Sequence, residues 1–223
     1  MNRLAVFDCD GTLVDSGASI YAALGLAFEA HGEPLPPVEQ CRRVIGLSLV
    51  EAIAELVPHL GGGDHLRLAE TYKASFLRAR LEGRVEEPLF PGIAELLDAL
   101  EEDGWLLAVA TGKSDRGLRA CLECHGLSHR FVSLQTSDRH PSKPHPSMVL
   151  HAMAEAGAAP ETTIVIGDTA FDMGMALAAG ATAIGAGWGY HEPDELAGAG
   201  ALGVAEQPGD VLAIIRPKEK ADG

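Results

Sequence analysis

The sequence is short of positive charge. Its 223 residues carry 17 Lys plus Arg against 32 Asp plus Glu, a formal net charge of −15. That excess repels the phosphate backbone of nucleic acids and anionic lipid surfaces, so neither is expected as a partner. The chain also lacks any run near the ~20 apolar residues that span a bilayer. At its start only Leu4, Ala5, Val6 and Phe7 stand together before Asp8. A secretory h-region needs about 7–15, so a cytoplasmic location is expected.

Cysteine is scarce as well. Cys9, Cys41, Cys121 and Cys124 are too few and too scattered for a disulfide framework. Cys121 and Cys124 have C-x-x-C spacing, but they lie inside a helical pattern with no second pair, and read as free thiols. Apolar residues, by contrast, make up 47% of the chain, enough to bury a core. The length suits one large domain or a core with a modest inserted module.

Short apolar runs at 4–7, 106–110, 131–134, 163–166 and 182–186 read as buried parallel strands. They alternate with helical patterns at 93–102, 114–125, 147–156 and 172–179, which end at Gly104, Gly126, Gly157 and Gly180. The expected fold class is α/β, with a Rossmann-like three-layer α/β/α core around a parallel sheet. Residues 16–87 break the rhythm with helical patterns at 16–31, 37–44, 48–57 and 64–81 and no strand between them. They read as an inserted all-helical cap domain, with 1–15 and 88–223 forming the core. The polar tail 216–223 is expected to fray.

In an open α/β sheet, ligands bind beyond the carboxyl ends of the strands. Three expected strands run into polar residues there: Asp8-Cys9-Asp10-Gly11-Thr12, Thr111-Gly112-Lys113, and Gly167-Asp168-Thr169-Ala170-Phe171-Asp172. If those strands are neighbours, Asp8, Asp10, Asp168 and Asp172 converge and repel one another unless a cation sits among them. Carboxylate oxygens favour a hard ion such as Mg²⁺. The plainer reading is that each acid caps the helix that follows it. That accounts for one of them more easily than for all four.

These segments resemble the haloacid dehalogenase superfamily of phosphohydrolases. Asp8 through Ser16 looks like its first motif, Thr111 its second, Lys143 in Ser-Lys-Pro-His-Pro its third, and Gly167-Asp168-Thr169-x-x-Asp172 its fourth. Ile45-Gly46-Leu47-Ser48-Leu49 and Trp188-Gly189-Tyr190 are similar to the phosphoglycolate phosphatase-like group. Cys9 departs from the pattern, since a larger apolar residue is commoner there, and so do the Ser142 and His145 that flank Lys143.

The resemblance implies a phosphatase acting on a small phosphorylated metabolite, as a monomer or weak homodimer. It makes Asp8 the nucleophile and Asp10 the general acid and base. Gly11, Thr111, Gly112 and Lys143 become phosphate contacts, and Asp8, Asp10, Asp168 and Asp172 the Mg²⁺ site. Arg42 or Arg43, the second preferred, is expected to meet a substrate carboxylate or second phosphate. Retention of an acid at Asp10 points to phosphate ester or anhydride chemistry. A phosphomutase, a pyrophosphatase or nucleotidase, and a non-catalytic phosphate sensor stand as alternatives.

Other signals are weaker. Thr111-Gly112-Lys113-Ser114 is half of a P-loop, but Leu107 stands where the first glycine belongs. Lys113 is left open between steering an anion and a solvated helix-start lysine. The C-x5-R spacing from Cys124 to Arg130 places its cysteine at the wrong end of a helix for phosphate. Tyr21, Trp188 and Tyr190 read as either pocket lining or core.

Overall fold

The computed structural model describes residues 1–215. The polar tail at 216–223 lies outside the described residues. Strand β1 (Asn2–Phe7) leads into four helices, α1 (Gly17–His31), α2 (Val38–Arg43), α3 (Leu49–Leu56) and α4 (Gly62–Leu81). The chain then alternates: α5 (Ile93–Glu102), β2 (Trp105–Thr111), α6 (Asp115–Cys124), β3 (Phe131–Thr136), α7 (Ser147–Ala156), β4 (Ala158–Gly167) and α8 (Ala170–Ala178). It closes with β5 (Thr182–Ala186), α9 (Pro193–Gly198), β6 (Gly203–Ala205), a 3-10 turn (Pro208–Asp210) and α10 (Val211–Ile215).

All six strands pair in parallel, in the order β3-β2-β1-β4-β5-β6. From Leu4 to Phe7, β1 is apolar without a break because both faces of the sheet are covered there. Ala5 and Phe7 pack into one buried cluster with Ile93 of α5 and Leu118 of α6. Leu4 and Val6 point the other way, against Met148 of α7 and Met173 of α8. α1 to α4 bury a third cluster of their own around Phe28, Ile53 and Leu68.

The starts of β4 and α8 depart from the sequence reading. β4 begins at Ala158, ahead of the expected start at Thr163, because Asn2 pairs with Ala158 across an irregularity and Pro160 masks the strand pattern. α8 begins at Ala170, because Thr169 rather than Asp172 is its N-cap residue. β6 and α9 went unread: one is three residues long, and the other is a six-residue helix that opens on Pro193.

Candidate active site

β1 lies between β2 and β4, so the chain reverses direction across the sheet at the carboxyl end of β1. That crevice is where an open parallel sheet places a ligand. Asp8 follows β1, Thr111 ends β2, and Asp168 follows β4, so the three expected strand ends are neighbours.

Asp8, Asp168 and Asp172 are fully buried, and each offers an oxygen within 4.8 Å of the others. Lys143 reaches into them from the loop before α7, its Nζ 2.7 Å from both Asp8 Oδ1 and Asp172 Oδ1. Despite that proximity, neither Asp8 oxygen accepts a well-directed hydrogen bond. Burial pushes the Asp8 carboxyl up to about 7; Lys143 pulls it down and Asp172 adds to the rise. Burial, with Asp8 and Asp172 beside it, likewise holds Asp168 well above the usual carboxylate range. Three carboxylates facing one lysine, with orphaned oxygens on Asp8, fit a hard divalent cation.

The remaining oxygens of the cluster are tied down. Asp168 Oδ1 accepts from Thr12 Oγ1 at 2.9 Å, and Oδ2 from the Tyr190 N–H at 2.9 Å. Asp172 Oδ2 accepts from Thr169 N–H and Oγ1, at 3.1 and 2.6 Å, so this acid does cap its helix while also holding Lys143. Gly11, at φ +86°, permits the turn that brings the first loop against Asp168; a Cβ there would lie 2.1 Å from Asp168 Oδ2.

Asp10 points elsewhere. Its Oδ1 lies 2.8 Å from Lys113 Nζ and accepts a short hydrogen bond from Ser16. Lys113 also meets Glu87 Oε1 at 2.7 Å, and Glu87 Oε2 meets Arg80 at 2.6 Å. Neither sequence reading of Lys113 holds: its side chain is 9% exposed and ion-paired, neither solvated nor free to steer. Glu87 was missed; its contacts to Lys113 and Arg80 bring together residues distant in the chain and carry no local motif.

Thr111 is buried, and its hydroxyl accepts from Lys113 N–H at 3.2 Å. Gly112 lies under the insert, where a Cβ would stand 2.4 Å from the Leu47 carbonyl oxygen. Arg43 is not brought to the site. It pairs with Glu195 at 2.7 Å on an exposed face, its side chain 55% exposed. Arg42 is exposed too. Trp188 donates to the Thr12 carbonyl at 3.0 Å, and Tyr190 packs beneath Gly11 and Gly17, so both belong to the scaffold. Tyr21 meets the Pro36 carbonyl within the helical insert. Cys9 and Cys121 lie buried, 4.0 Å apart, while Cys124 is exposed.

A cavity of about 550 Å³ opens beside Asp10, Gly112 and Lys113, walled on the other side by α1, α3 and α4. No described helix is long and apolar enough to cross a membrane.

The family described as haloacid dehalogenase-like hydrolase matches residues 5–186. A protein named "Probable phosphatase IndB" from Dickeya dadantii is 36% identical over 88% of this chain and 86% of its own length. "Phosphoglycolate phosphatase 1" from Pseudomonas aeruginosa is 31% identical over 85% of this chain and 71% of its own. The crystal structure of a hydrolase from Pseudomonas syringae superposes with a TM-score of 0.83 at 29% identity, covering 95% of this chain and 97% of that one. With four motifs gathered at one sheet edge and these relatives spanning most of its length, the chain belongs to the haloacid dehalogenase-like hydrolases, in their phosphoglycolate phosphatase-like group.

Proposed function

We propose that this protein is a Mg²⁺-dependent phosphatase that hydrolyses a small phosphate monoester through an aspartyl-phosphate on Asp8. The observation that carries the reading is Asp8 itself: buried, 2.7 Å from Lys143, and with neither oxygen engaged in a well-directed hydrogen bond. An unengaged carboxylate oxygen is free to attack phosphorus. Lys143 offsets the repulsion between that oxygen and the incoming phosphate, and Asp172 holds Lys143 in place. Thr111 Oγ1 and the Gly112 N–H hold the phosphoryl oxygens, whereas the Gly11 N–H already donates to the Val14 carbonyl at 2.9 Å and serves the turn instead of the phosphate.

Asp10 sits two residues on, facing the cavity, where it protonates the departing alkoxide and then activates water. Asp8, the Asp10 carbonyl and Asp168, with Asp172 behind them, would hold Mg²⁺, which would supply the positive charge that phosphoryl transfer requires. Residues 16–87 act as a cap that closes over the site and excludes bulk water.

Phosphate release from a panel of esters, run with Mg²⁺ and then with EDTA, tests this. Phosphoglycolate is the reference ester because a relative carries its name. Release is expected to stop in EDTA and to fall by roughly 10³-fold or more in Asp8→Asn. Turnover that survives the substitution would falsify the mechanism. Release that needs a bisphosphate activator would instead identify a phosphomutase.

A further inference from the structure

The cavity beside Asp10 is present with the insert in contact with the core. On one side the insert already touches the core. The Ser48 N–H donates to Ser142 Oγ at 2.8 Å, His191 Nε2 lies 3.1 Å from the Arg43 carbonyl, and the Gly46-Leu47 backbone rests against Gly112. With those contacts made, about 550 Å³ remains between the insert and the core. Pockets for drug-sized ligands run from about 300 to 1,000 Å³. The space is far larger than a two-carbon acid fills.

Apolar side chains make up most of its wall on the insert side. Tyr72 and Phe76 lie one turn apart on α4, their ring centroids 5.7 Å apart and tilted by 31°. Ile20, Leu47, Leu49 and Val50 line the same space. All six are half-buried side chains that a guest could cover further.

Charge points the same way. The cations nearest Asp10 are already matched, Lys113 by Asp10 and Glu87, and Arg80 by Glu87. A carboxylate adjacent to the ester carbon would lie beside Asp10, where the neighbouring cations are already matched. Lys73 and Arg116, which form no ion pair among the described residues, line the cavity from exposed positions.

Resting on the phosphatase reading above, we infer that the substrate is a monoester whose alcohol carries an uncharged ring system of about nucleoside size. Its ester oxygen lies at Asp10, and its ring lies against Tyr72 and Phe76. The reaction is the one proposed above: an Asp8 oxygen bonds to phosphorus as the ester bond breaks, the ring-bearing alcohol leaves with the proton from Asp10, and water deprotonated by Asp10 then cleaves the aspartyl-phosphate to give phosphate and free Asp8.

The test compares kcat/KM on esters of primary alcohols, so that leaving-group chemistry is matched. Uridine 5′-monophosphate and pyridoxine 5′-phosphate carry a ring system of the proposed kind; ribose 5-phosphate and phosphoglycolate do not. At least one of the first pair is expected to exceed both of the second by about ten-fold or more, the scale of one stacked ring. Phe76→Ala is expected to shrink that ratio mainly through KM, and Phe76→Leu, which keeps apolar bulk and guards against loss of fold, to shrink it less. Equal or better turnover of phosphoglycolate or ribose 5-phosphate overturns the inference and leaves the phosphatase reading intact. Absence of release from every ester, p-nitrophenyl phosphate included, sinks the phosphatase reading itself.

Discussion

Asp8 sits where its own charge is opposed. Its carboxyl, ordinarily near 3.8, is pushed up to about 7, chiefly by burial, with Asp172 and Asp10 adding to the rise and Lys143 relieving part of it. A carboxyl with a raised folded pKa contributes stability that is complete below its unfolded value and is lost as pH rises through the folded one. In EDTA the protein is therefore expected to lose thermal stability between about pH 4 and pH 7, and Mg²⁺ to restore it at the upper end. Asp8→Asn removes the charge and keeps the shape. At pH 8 in EDTA it is expected to melt at least about 2–4 °C above wild type, the shift from ~1 kcal/mol in a chain this size, while turnover is lost. A lower melting temperature would mean that pairing with Lys143 outweighs the repulsion. The acids of this site could be read from sequence because each stands at or near the end of an apolar strand. The parts played by Thr12 and Tyr190 could not, since both act on Asp168, which only folding brings near them, and the Ser16 bond to Asp10 depends on the turn between the two.

At the scale of elements, the start of α8 carries two duties. Thr169 and Asp172 form a reciprocal capping box that satisfies backbone N–H groups, and the same Asp172 grips Lys143. Thr169→Ala is expected to cost about 1 kcal/mol, the usual loss of an N-cap side chain, or about 2–4 °C in melting temperature. It should also lower kcat by about ten-fold, because the partner that orients Lys143 is loosened. Thr169→Ser should recover both. Melting and steady-state assays check this, and an unchanged kcat beside a lowered melting temperature would confine Thr169 to a structural role. This cap was visible in the sequence, as Thr-x-x-Asp before an apolar run. The apolar periodicity starts only at Asp172, which stands at the third position of the helix behind its Thr169 cap. Long strands and helices with strong apolar patterns were legible for the ordinary reason that both faces of the sheet are buried. β6 and α9 are too short to show a period, and their place comes from packing against β5.

Across the whole molecule, two kinds of charge link the insert to the core. Arg43 and Glu195 pair in solvent, and such pairs are worth about 0–1 kcal/mol, so Arg43→Ala should move stability little. Arg80, Glu87, Lys113 and Asp10 instead form an alternating chain from α4 to the carboxyl end of β1, with the Glu87 side chain only 5% exposed. Burial opposes ionisation of Glu87, yet Lys113 and Arg80 outweigh it and hold its carboxyl below the ordinary 4.5. A depressed carboxylate contributes stability above its unfolded pKa and loses it as pH falls through the folded value. Glu87→Gln leaves two cations short of a partner, although Lys113 retains Asp10. Breaking a buried pair costs about 3–5 kcal/mol, so the retained partner puts the expected loss near the lower end. The stability gap between wild type and variant should be full at pH 7 and should narrow as pH falls below about 4.5, where wild-type Glu87 also surrenders its charge. Denaturant titrations at several pH values measure that gap. A gap that stays constant down to pH 3 would show that the side chain's hydrogen bonds and packing matter there, and its charge does not. In a molecule with a net charge of −15, this chain occupies Lys113 and Arg80 and leaves Lys143, itself shared by Asp8 and Asp172, as the lysine at the acidic cluster, which is why three carboxylates there call for a divalent ion.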